Sequence, residues 1–264
     1  MSALHHEVHG RRGRRGRDLV LLHGWGLNLG VWGGLTRELS ARFRIIAIDL
    51  PGHGGSDWDP LAVTPAAQAW RVHETIAPLS ERYTLLGWSL GGQFALDLAA
   101  AMPAGIERLI LVGATPRFVA APGWRAGMPP ARLEALAAAL RRSPERTLEG
   151  FLGSCARGSA PRTARRVRNA LRAALDAHGK AQSQALTVGL VRLKEVDLRP
   201  ALPLVRVPTL VIAGSQDQVT RAAASRALAA RLPNARYLEF AGAAHAPFLS
   251  HPARFARTLR EFLQ

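Results

Sequence analysis

Short apolar runs alternate with longer amphipathic stretches along most of the chain. The runs have the length of strands and contain few polar residues, as expected for parallel strands that are covered on both faces. Strands that alternate with helices in this way predict a mostly parallel, doubly wound α/β sheet. The predicted strands lie at residues 4–8, 18–22, 44–49, 83–86, 109–112, 207–214 and 235–240, with helices at residues 31–41, 65–79, 93–102, 222–231 and 253–263.

The alternation stops at residue 117. From there to residue 194 the sequence has no strand-like run, and helical spacing continues through residues 130–141, 144–156, 161–177 and 182–193. We therefore expect residues 117–194 to form an all-helical cap insertion at the carboxyl edge of the sheet. The two flanking parts, residues 1–116 and 195–264, form one α/β core in this interpretation, which the chain is long enough to build.

Composition indicates the solubility of the protein and its cellular compartment. Hydrophobic residues make up 48% of the 264 residues, which fits a folded globular chain, yet no apolar run reaches the ~20 residues of a membrane span. The polar amino terminus is not followed by the apolar segment of a secretory signal. The single cysteine, Cys155, excludes an internal disulfide and fits a reducing compartment. These features predict a soluble, cytoplasmic protein.

The clearest chemical motif lies at residues 87–91, Gly-Trp-Ser-Leu-Gly. It matches the G-x-S-x-G nucleophile elbow, in which a serine lies on a strained turn between a strand and a helix. A predicted strand precedes the motif and a predicted helix follows it, so Ser89 is a candidate nucleophile. The alternative is an ordinary glycine-rich turn.

A nucleophilic serine needs a base, and the base needs a third group that orients it. In parallel sheets such side chains gather beyond the carboxyl ends of the strands. Asp217 follows the strand at residues 207–214 and His245 follows the last strand, in the chain order serine, aspartate, histidine. Other candidates occupy helices, the end of the cap or bracing loops: Asp49, Asp176, Asp197, His23, His73, His178 and His251.

Acyl transfer also requires N–H donors for the oxyanion of the tetrahedral intermediate. The residue after the nucleophile supplies one donor, which here is the Leu90 N–H. We assign the second to the Trp25 N–H, in the His-Gly-Trp-Gly loop that follows the strand at residues 18–22. This chemistry uses no metal and no organic cofactor, so we expect neither.

Together these motifs resemble the α/β-hydrolase superfamily over nearly the whole chain. The match rests on the loops at residues 23–26 and 49–56, the elbow, Asp217 and His245. The resemblance implies the α/β-hydrolase fold with Ser89 as nucleophile. Epoxide hydrolases and haloalkane dehalogenases are disfavoured, because they need a carboxylate at the position of this serine.

Residues 21–28, 86–92, 146–152, 195–199 and 243–252 resemble one family more closely, the pimeloyl-(acyl-carrier protein) methyl ester esterases of biotin synthesis. The resemblance implies a carboxylesterase that cleaves a methyl ester at the far end of a pimeloyl chain, which acyl-carrier protein carries as a thioester. It also implies that the substrate touches both oxyanion residues, the catalytic serine and histidine, and one cap segment: Trp25, Ser89, Leu90, Phe151, Leu152, Gly153, Ser154, Cys155 and His245.

The formal charge of +16 comes almost entirely from arginine, and the predicted cap holds many of these residues. Acyl-carrier proteins are acidic, and complementary charge speeds and orients encounter. We predict carrier-protein contacts at Arg146, Arg165 and Arg168. The alternative is a solvated cationic face produced by an arginine-rich genome. The basic run at residues 11–17 lacks the aromatic residues and the binding fold of a nucleic-acid arm, so we expect no nucleic-acid partner. We also expect no membrane partner and a monomeric protein.

Two other functions stay open on the sequence alone. A general short-chain carboxylesterase, or another small-ester hydrolase, would use the same triad. A non-catalytic binding protein with this fold would require a broken triad, and none of the triad positions is substituted here.

Overall fold

A computed structural model describes residues 3–11, 18–101 and 104–264 of the chain. Within these ranges seven strands form one sheet in the order β1-β3-β2-β4-β5-β6-β7. The first strand pairs antiparallel with β3, and the other pairs are parallel. The predicted α/β fold class is confirmed. The strands are β1 (His6–His9), β2 (Asp18–Leu22), β3 (Arg44–Ile48), β4 (Tyr83–Trp88), β5 (Ile106–Val112), β6 (Thr209–Gly214) and β7 (Ala235–Phe240).

Helices cover the sheet, and most of them begin with proline. Proline lacks the N–H that the first turn of a helix leaves unbonded, and its fixed φ suits that turn. In α2 the Thr64 hydroxyl also caps the helix by accepting a hydrogen bond from the Ala67 N–H. The helices are α1 (Gly33–Leu39), α2 (Pro65–Ile76), α3 (Leu90–Ala101), α4 (Pro130–Arg142), α5 (Pro144–Ala156), α6 (Pro161–His178), α7 (Ser183–Glu195), α8 (Ala222–Ala229), α9 (Pro247–Ser250) and α10 (Pro252–Leu263), with 3-10 turns at Leu29–Trp32 and Arg199–Leu204.

The central strands explain why the sheet forms. All residues of β2, β4 and β6 are buried, and most of them are aliphatic. Burying a leucine, isoleucine or valine side chain stabilises the fold by about 1.5–3 kcal/mol, so a sheet with two covered faces gathers most of the core. The edge strands β1 and β7 are only partly buried.

Helices α4–α7, which we call the cap helices, follow β5 and precede β6, although these two strands are neighbours in the sheet. The cap helices pack on one another and α6 also contacts α9. Residues 117–128 form turns with isolated bridges, such as Arg117 with Asp197. The division into a core and a cap at residues 117 and 194 stays a prediction.

A buried arginine ties the cap helices to the core. Arg192 of α7 is 1% exposed and donates to the Asp97 carboxylate of α3 at 2.7 Å and to the Pro65 carbonyl at 2.9 Å. Its guanidinium also lies 4.2 Å from the centroid of the Phe94 ring. The contacts fix α7 to the helix that begins directly after Ser89.

Two sequence-based expectations fall partly outside the described residues. The basic run at residues 11–17 is described only at Arg11, and the end of the helix expected at residues 93–102 also falls outside. Within the described ranges, no helix has both the length and the apolar character that a membrane crossing requires.

Candidate active site

Ser89 lies on a sharp turn between β4 and α3. Its φ of 55° is the one positive φ of a non-glycine residue in the described part of the chain. This left-handed conformation costs roughly 1–2 kcal/mol for a residue with a Cβ, so the neighbouring packing must hold it. A Cβ at Gly87 would overlap the Gly91 carbonyl, and one at Gly91 would lie 2.5 Å from the Leu22 carbonyl oxygen. The two glycines of the motif therefore permit the close approach that the turn requires.

Asp217 and His245 meet through a short hydrogen bond. The His245 Nδ1 lies 2.7 Å from the Asp217 Oδ2, and both side chains are fully buried. The other carboxylate oxygen accepts from the backbone N–H groups of Val219 at 2.8 Å and Thr220 at 2.9 Å. With Nδ1 donating to the carboxylate, Nε2 is the nitrogen left to accept a proton. Nε2 has no hydrogen-bond partner among the described residues.

The backbone of His245 is held from two sides. The Trp88 indole N–H donates to the His245 carbonyl at 2.8 Å, and the His245 N–H donates to the Cys155 carbonyl near the end of α5 at 3.1 Å. A carbonyl in the last turn of a helix has no partner within the helix, so this bond also caps α5. Burial, and then the nearby Asp217 charge, raise the pKa of the Cys155 thiol, which therefore stays protonated as a packing group.

The two residues expected to donate to the oxyanion, Leu90 and Trp25, follow the neighbouring strands β4 and β2. Leu90 is the first residue of α3, directly after Ser89. Trp25 follows β2 and is fully buried, with its indole N–H donating to the Leu186 carbonyl of α7 at 2.9 Å. Its ring meets the Phe151 ring edge-on, with centroids 5.0 Å apart. A cap helix thus fixes the side chain of the residue whose backbone N–H we expect to donate.

Two buried histidines brace the loop that contains Trp25. The His23 Nε2 accepts from the Leu50 N–H at 2.9 Å, and the His53 Nε2 accepts from the Gly26 N–H at 3.2 Å. Each Nδ1 points at a backbone carbonyl, so both rings are neutral with the proton on Nδ1. Burial lowers the pKa of His23 and lowers that of His53 to about 4. With both ring nitrogens occupied, neither histidine can serve as a base for Ser89.

Asp49 completes this brace. Its Oδ1 accepts from the Leu29 N–H at 2.6 Å, and its Oδ2 accepts from the Gly55 N–H at 2.9 Å and contacts His5 Nδ1 at 2.8 Å. Burial raises the pKa of this carboxyl, and the hydrogen bonds oppose the rise. The loop at residues 49–56 therefore holds the loop at residues 23–29 through side chains bonded to backbone, which is the bracing role that the sequence favours for Asp49 and His23.

A cavity of about 500 Å³ opens beside Ser89. Of the residues expected to touch substrate, Trp25, Ser89, Phe151 and Ser154 line it. The others are not among the residues that line it: Leu90, Leu152, Gly153, Cys155 and His245. The lining also includes residues that we did not predict: Phe118, Met128, Arg132, Leu136, Ala139, Arg142, Ser143, Thr147, Gly150, Leu190, Leu193 and Val219.

The arginines expected to contact a carrier protein occupy two places. Arg146 lines the cavity, whereas Arg165 and Arg168 lie exposed on α6. Arg172, on the same helix face, forms an ion pair with Glu149 of α5 at 2.5 Å. Among the described residues, no group of three or more histidine, cysteine, aspartate or glutamate side chains is placed to hold a metal ion.

Comparison with known proteins agrees with this geometry. Residues 19–258 match the model of the alpha/beta hydrolase family. The pimeloyl-(acyl-carrier protein) methyl ester esterase of Xanthomonas oryzae pv. oryzae is 41% identical over 248 residues, which cover 94% of this chain and 95% of that one. The enzyme of the same name from Aromatoleum aromaticum is 42% identical over 241 residues, covering 89% and 93%.

Solved structures of an esterase and a hydrolase share the fold. An esterase from Exiguobacterium antarcticum superposes with a TM-score of 0.86 at 27% identity, over 98% of this chain and 94% of that one. A hydrolase from Pseudomonas aeruginosa superposes with a TM-score of 0.82 at 29% identity, over 98% and 93%. The chain therefore belongs to the alpha/beta hydrolase family and, within it, to the pimeloyl-(acyl-carrier protein) methyl ester esterases.

Proposed function

We propose that the protein is a serine carboxylesterase that hydrolyses the methyl ester of pimeloyl-(acyl-carrier protein) in biotin synthesis. The observation that carries the proposal is the 2.7 Å bond between His245 and Asp217, combined with Ser89 on its elbow beside a cavity of about 500 Å³. The names of the relatives at about 40% identity support the substrate.

In the acylation step His245 Nε2 removes the proton of the Ser89 hydroxyl while Oγ attacks the ester carbonyl carbon. The backbone N–H groups of Trp25 and Leu90 donate to the oxyanion, and Asp217 holds the imidazole in the correct tautomer. The carbon–oxygen bond to the methoxy group then breaks, and the leaving group takes the proton from His245 as methanol. The acyl group remains as an ester on Ser89.

Deacylation repeats these steps with water. His245 removes a proton from the water, whose oxygen attacks the acyl-enzyme carbonyl in the same oxyanion site. The bond to Oγ breaks, and the proton on His245 returns to Ser89. The products are one carboxylic acid and one methanol for each water consumed, and no metal or organic cofactor takes part.

The partner in this proposal is an acyl-carrier protein. The exposed arginines of α6, among them Arg165 and Arg168, carry the charge that suits an acidic partner. The cytoplasmic location and the monomeric state expected from the sequence belong to the same proposal.

The test compares two substrates in the wild type and in Ser89→Ala. We expect Ser89→Ala to lower kcat on pimeloyl-(acyl-carrier protein) methyl ester by roughly 10⁴-fold or more, as removal of a triad nucleophile does in other serine hydrolases. Ser80→Ala, at a buried serine that precedes β4, is the matched control and should retain activity. Methanol release and the mass of the carrier-bound acid are measured.

The two substrates separate this function from the general alternative. Faster turnover of the carrier-bound ester than of p-nitrophenyl acetate supports the proposed function. Faster turnover of the small ester alone would keep the triad but make the protein a general short-chain esterase. Retained hydrolysis in Ser89→Ala would refute the nucleophile itself.

A further inference from the structure

One glycine in the middle of α7 lies directly against the two residues that are expected to donate to the oxyanion. A Cβ added at Gly189 would lie 2.7 Å from the Trp25 Cδ1 atom, 3.1 Å from its Nε1 atom and 3.6 Å from a methyl carbon of Leu90. Carbon atoms in favourable contact stay about 3.5–4.0 Å apart, so a side chain at this position would overlap the indole. The backbone of α7 can therefore touch the Trp25 ring only because residue 189 has no side chain.

Glycine is unfavourable in the interior of a helix, because it loses more conformational freedom on folding than alanine does. Helix α5 also contains two glycines, Gly150 and Gly153. A Cβ at either one would meet no atom of the described residues within 4 Å, apart from the adjoining helix backbone. Gly189 differs from them because another residue fills the space of its missing side chain. The close approach of α7 to Trp25 is therefore a specific use of this glycine.

One face of α7 contacts both the loop after β2 and helix α3. One turn before Gly189, the Leu186 carbonyl accepts the hydrogen bond from the Trp25 indole N–H at 2.9 Å. One turn after it, the Arg192 guanidinium donates to the Asp97 carboxylate of α3 at 2.7 Å. Residues that are three apart lie on the same side of a helix, so these contacts belong to one face. The bonds on either side hold α7 in place, and a side chain added between them would displace the indole.

We propose that Gly189 is a positioning residue of the oxyanion site, because it lets α7 hold the Trp25 indole and thereby the direction of the Trp25 backbone N–H. The ring and this N–H are joined through one Cα. The next N–H along the chain, that of Gly26, is bonded to His53 at 3.2 Å, so a displaced ring turns the backbone on the side of the donor. A cap helix then contributes to the chemical step as well as to the cavity. This inference rests on the proposed ester hydrolysis at Ser89.

The first experiment measures the hydrolysis of p-nitrophenyl acetate by Gly189→Ala. We expect kcat to fall by roughly tenfold or more, because a small misplacement of a group that acts on the transition state is costly. KM should change little, since the N–H donates to an oxyanion that the bound substrate does not yet carry. Gly34→Ala is the matched control: it adds the same methyl group at an exposed position of α1, where a Cβ would meet no described atom within 4 Å. The control should keep the wild-type kcat.

A reversible inhibitor separates positioning from a loss of folded enzyme. Hexyl trifluoromethyl ketone forms a bond between its carbonyl carbon and the Ser89 Oγ, the serine proton passes to His245, and the resulting oxyanion occupies the site of the tetrahedral intermediate. We expect its Ki to rise in Gly189→Ala by about the same factor as kcat/KM falls. The Ki of heptanol, which forms no oxyanion, should stay unchanged. A variant that is merely less stable would keep the wild-type Ki for the ketone, because Ki does not depend on the active fraction, and this result would overturn the proposal.

A double-mutant cycle tests whether Gly189 acts through the indole. Trp25→Phe keeps the backbone N–H and an aromatic ring but lacks the Nε1 atom and its hydrogen bond to Leu186. We expect Gly189→Ala to lower kcat less in the Trp25→Phe background than in the wild type, because residues in contact are not additive. Equal losses in the two backgrounds would refute the assignment, since the effect would then pass through another contact of α7.

The small ester separates this inference from the proposed function. If the wild type rejects the carrier-bound ester but hydrolyses p-nitrophenyl acetate, the proposed function fails, and the Gly189 variants still decide the positioning role. If the carrier-bound ester is hydrolysed while Gly189→Ala keeps the wild-type kcat and Ki, the positioning role fails and the esterase function stands. A wild type that cleaves neither ester would refute both.

Discussion

The sheet side of the cavity and the helix side differ in how their polar groups are satisfied. On the sheet side, each ring nitrogen of His23 and His53 and each carboxylate oxygen of Asp49 has a hydrogen-bond partner. On the helix side, Arg142 and Arg146 have no acidic partner among the described residues. A saturated network fixes backbone donors before substrate arrives, whereas unpaired cations at the cap helices remain available to a ligand.

His245 combines the two conditions, because one of its ring nitrogens has a hydrogen-bond partner and the other has none within the described residues. Its Nδ1 is bonded to Asp217 at 2.7 Å, yet its Nε2 has no partner among the described residues. One occupied nitrogen sets the tautomer, and one open nitrogen permits proton transfer. The number of occupied ring nitrogens thus separates His245, the proposed base, from the bracing histidines.

Asp49→Ala should break the sheet-side network with the largest effect. It leaves the buried N–H group of Leu29 and the partly buried N–H group of Gly55 without an acceptor. Each such group costs about 1–3 kcal/mol, with the partly buried one at the lower end. We expect the free energy of unfolding to fall by about 4 kcal/mol in urea titrations, with a loss of kcat because the Trp25 loop loses its brace. Asp57→Ala, on an exposed position of the same loop, is the control. Equal stability of the two variants would contradict the role of Asp49.

Acid should weaken the same network through His53. Burial lowers its pKa from 6.5 to about 4 in the folded protein, so the unfolded chain binds the proton more readily between these values. The stability that the neutral ring supports is therefore complete above pH 6.5 and is lost as the pH falls to 4, by about 3 kcal/mol. Urea titrations from pH 7.5 to 4 measure the slope, and His53→Gln should flatten it. An unchanged slope in that variant would exclude His53 as its source.

The buried Arg192 of α7 is expected to depend more on its acidic partner than the exposed cations of the cap helices do. Asp97→Ala leaves the Arg192 charge in an apolar site, which already lowers its pKa, and we expect a loss of about 2 kcal/mol. Arg192→Met should cost less, because Asp97 is partly exposed and can regain water. Denaturation of both single variants and the double variant checks this order. A larger loss in Arg192→Met would mean that packing on Phe94 dominates.

The smallest effect is expected at the exposed ion pair of the cap helices. The side chains of Arg172 and Glu149 are 59% and 50% exposed, and water screens the charges of such pairs. Arg172→Ala should leave the midpoint of urea unfolding unchanged within error. A clear shift of the midpoint would show that this pair holds α5 and α6 together.

Apolar periodicity predicted the sheet because it reports burial directly. Residues 18–22 and 83–86 are mostly apolar runs with the length of a strand that is covered on both faces, and both lie in strands of the structure. The elbow could be predicted because the serine and its two glycines lie together at residues 87–91, although the contact that requires Gly91 is with the Leu22 carbonyl of β2. Asp217 and His245 could be proposed as partners because the ends of parallel strands share one edge of the sheet.

The walls of the cavity could not be predicted in the same way. Phe151 and Ser154 line the cavity while Leu152 and Cys155 do not, and only the rotation of α5 against its neighbours decides which face is which. The helical spacing of Arg132, Leu136 and Ala139 was a usable signal, because these residues share one face of α4. The hydrogen bond from the Gly26 N–H to His53 Nε2 joins two loops that are distant in the sequence, and no periodicity of the sequence indicates it.

The position of the cap helices between β5 and β6 has a consequence for synthesis of the chain. Strand β5 emerges from the ribosome with one edge unpaired, and its partner β6 follows only after all four cap helices have been made. An open strand edge is a site of misassociation, and late pairing across a long segment slows folding. During translation all four cap helices are therefore made before the sheet is complete, and the edge of nascent β5 stays open until β6 arrives.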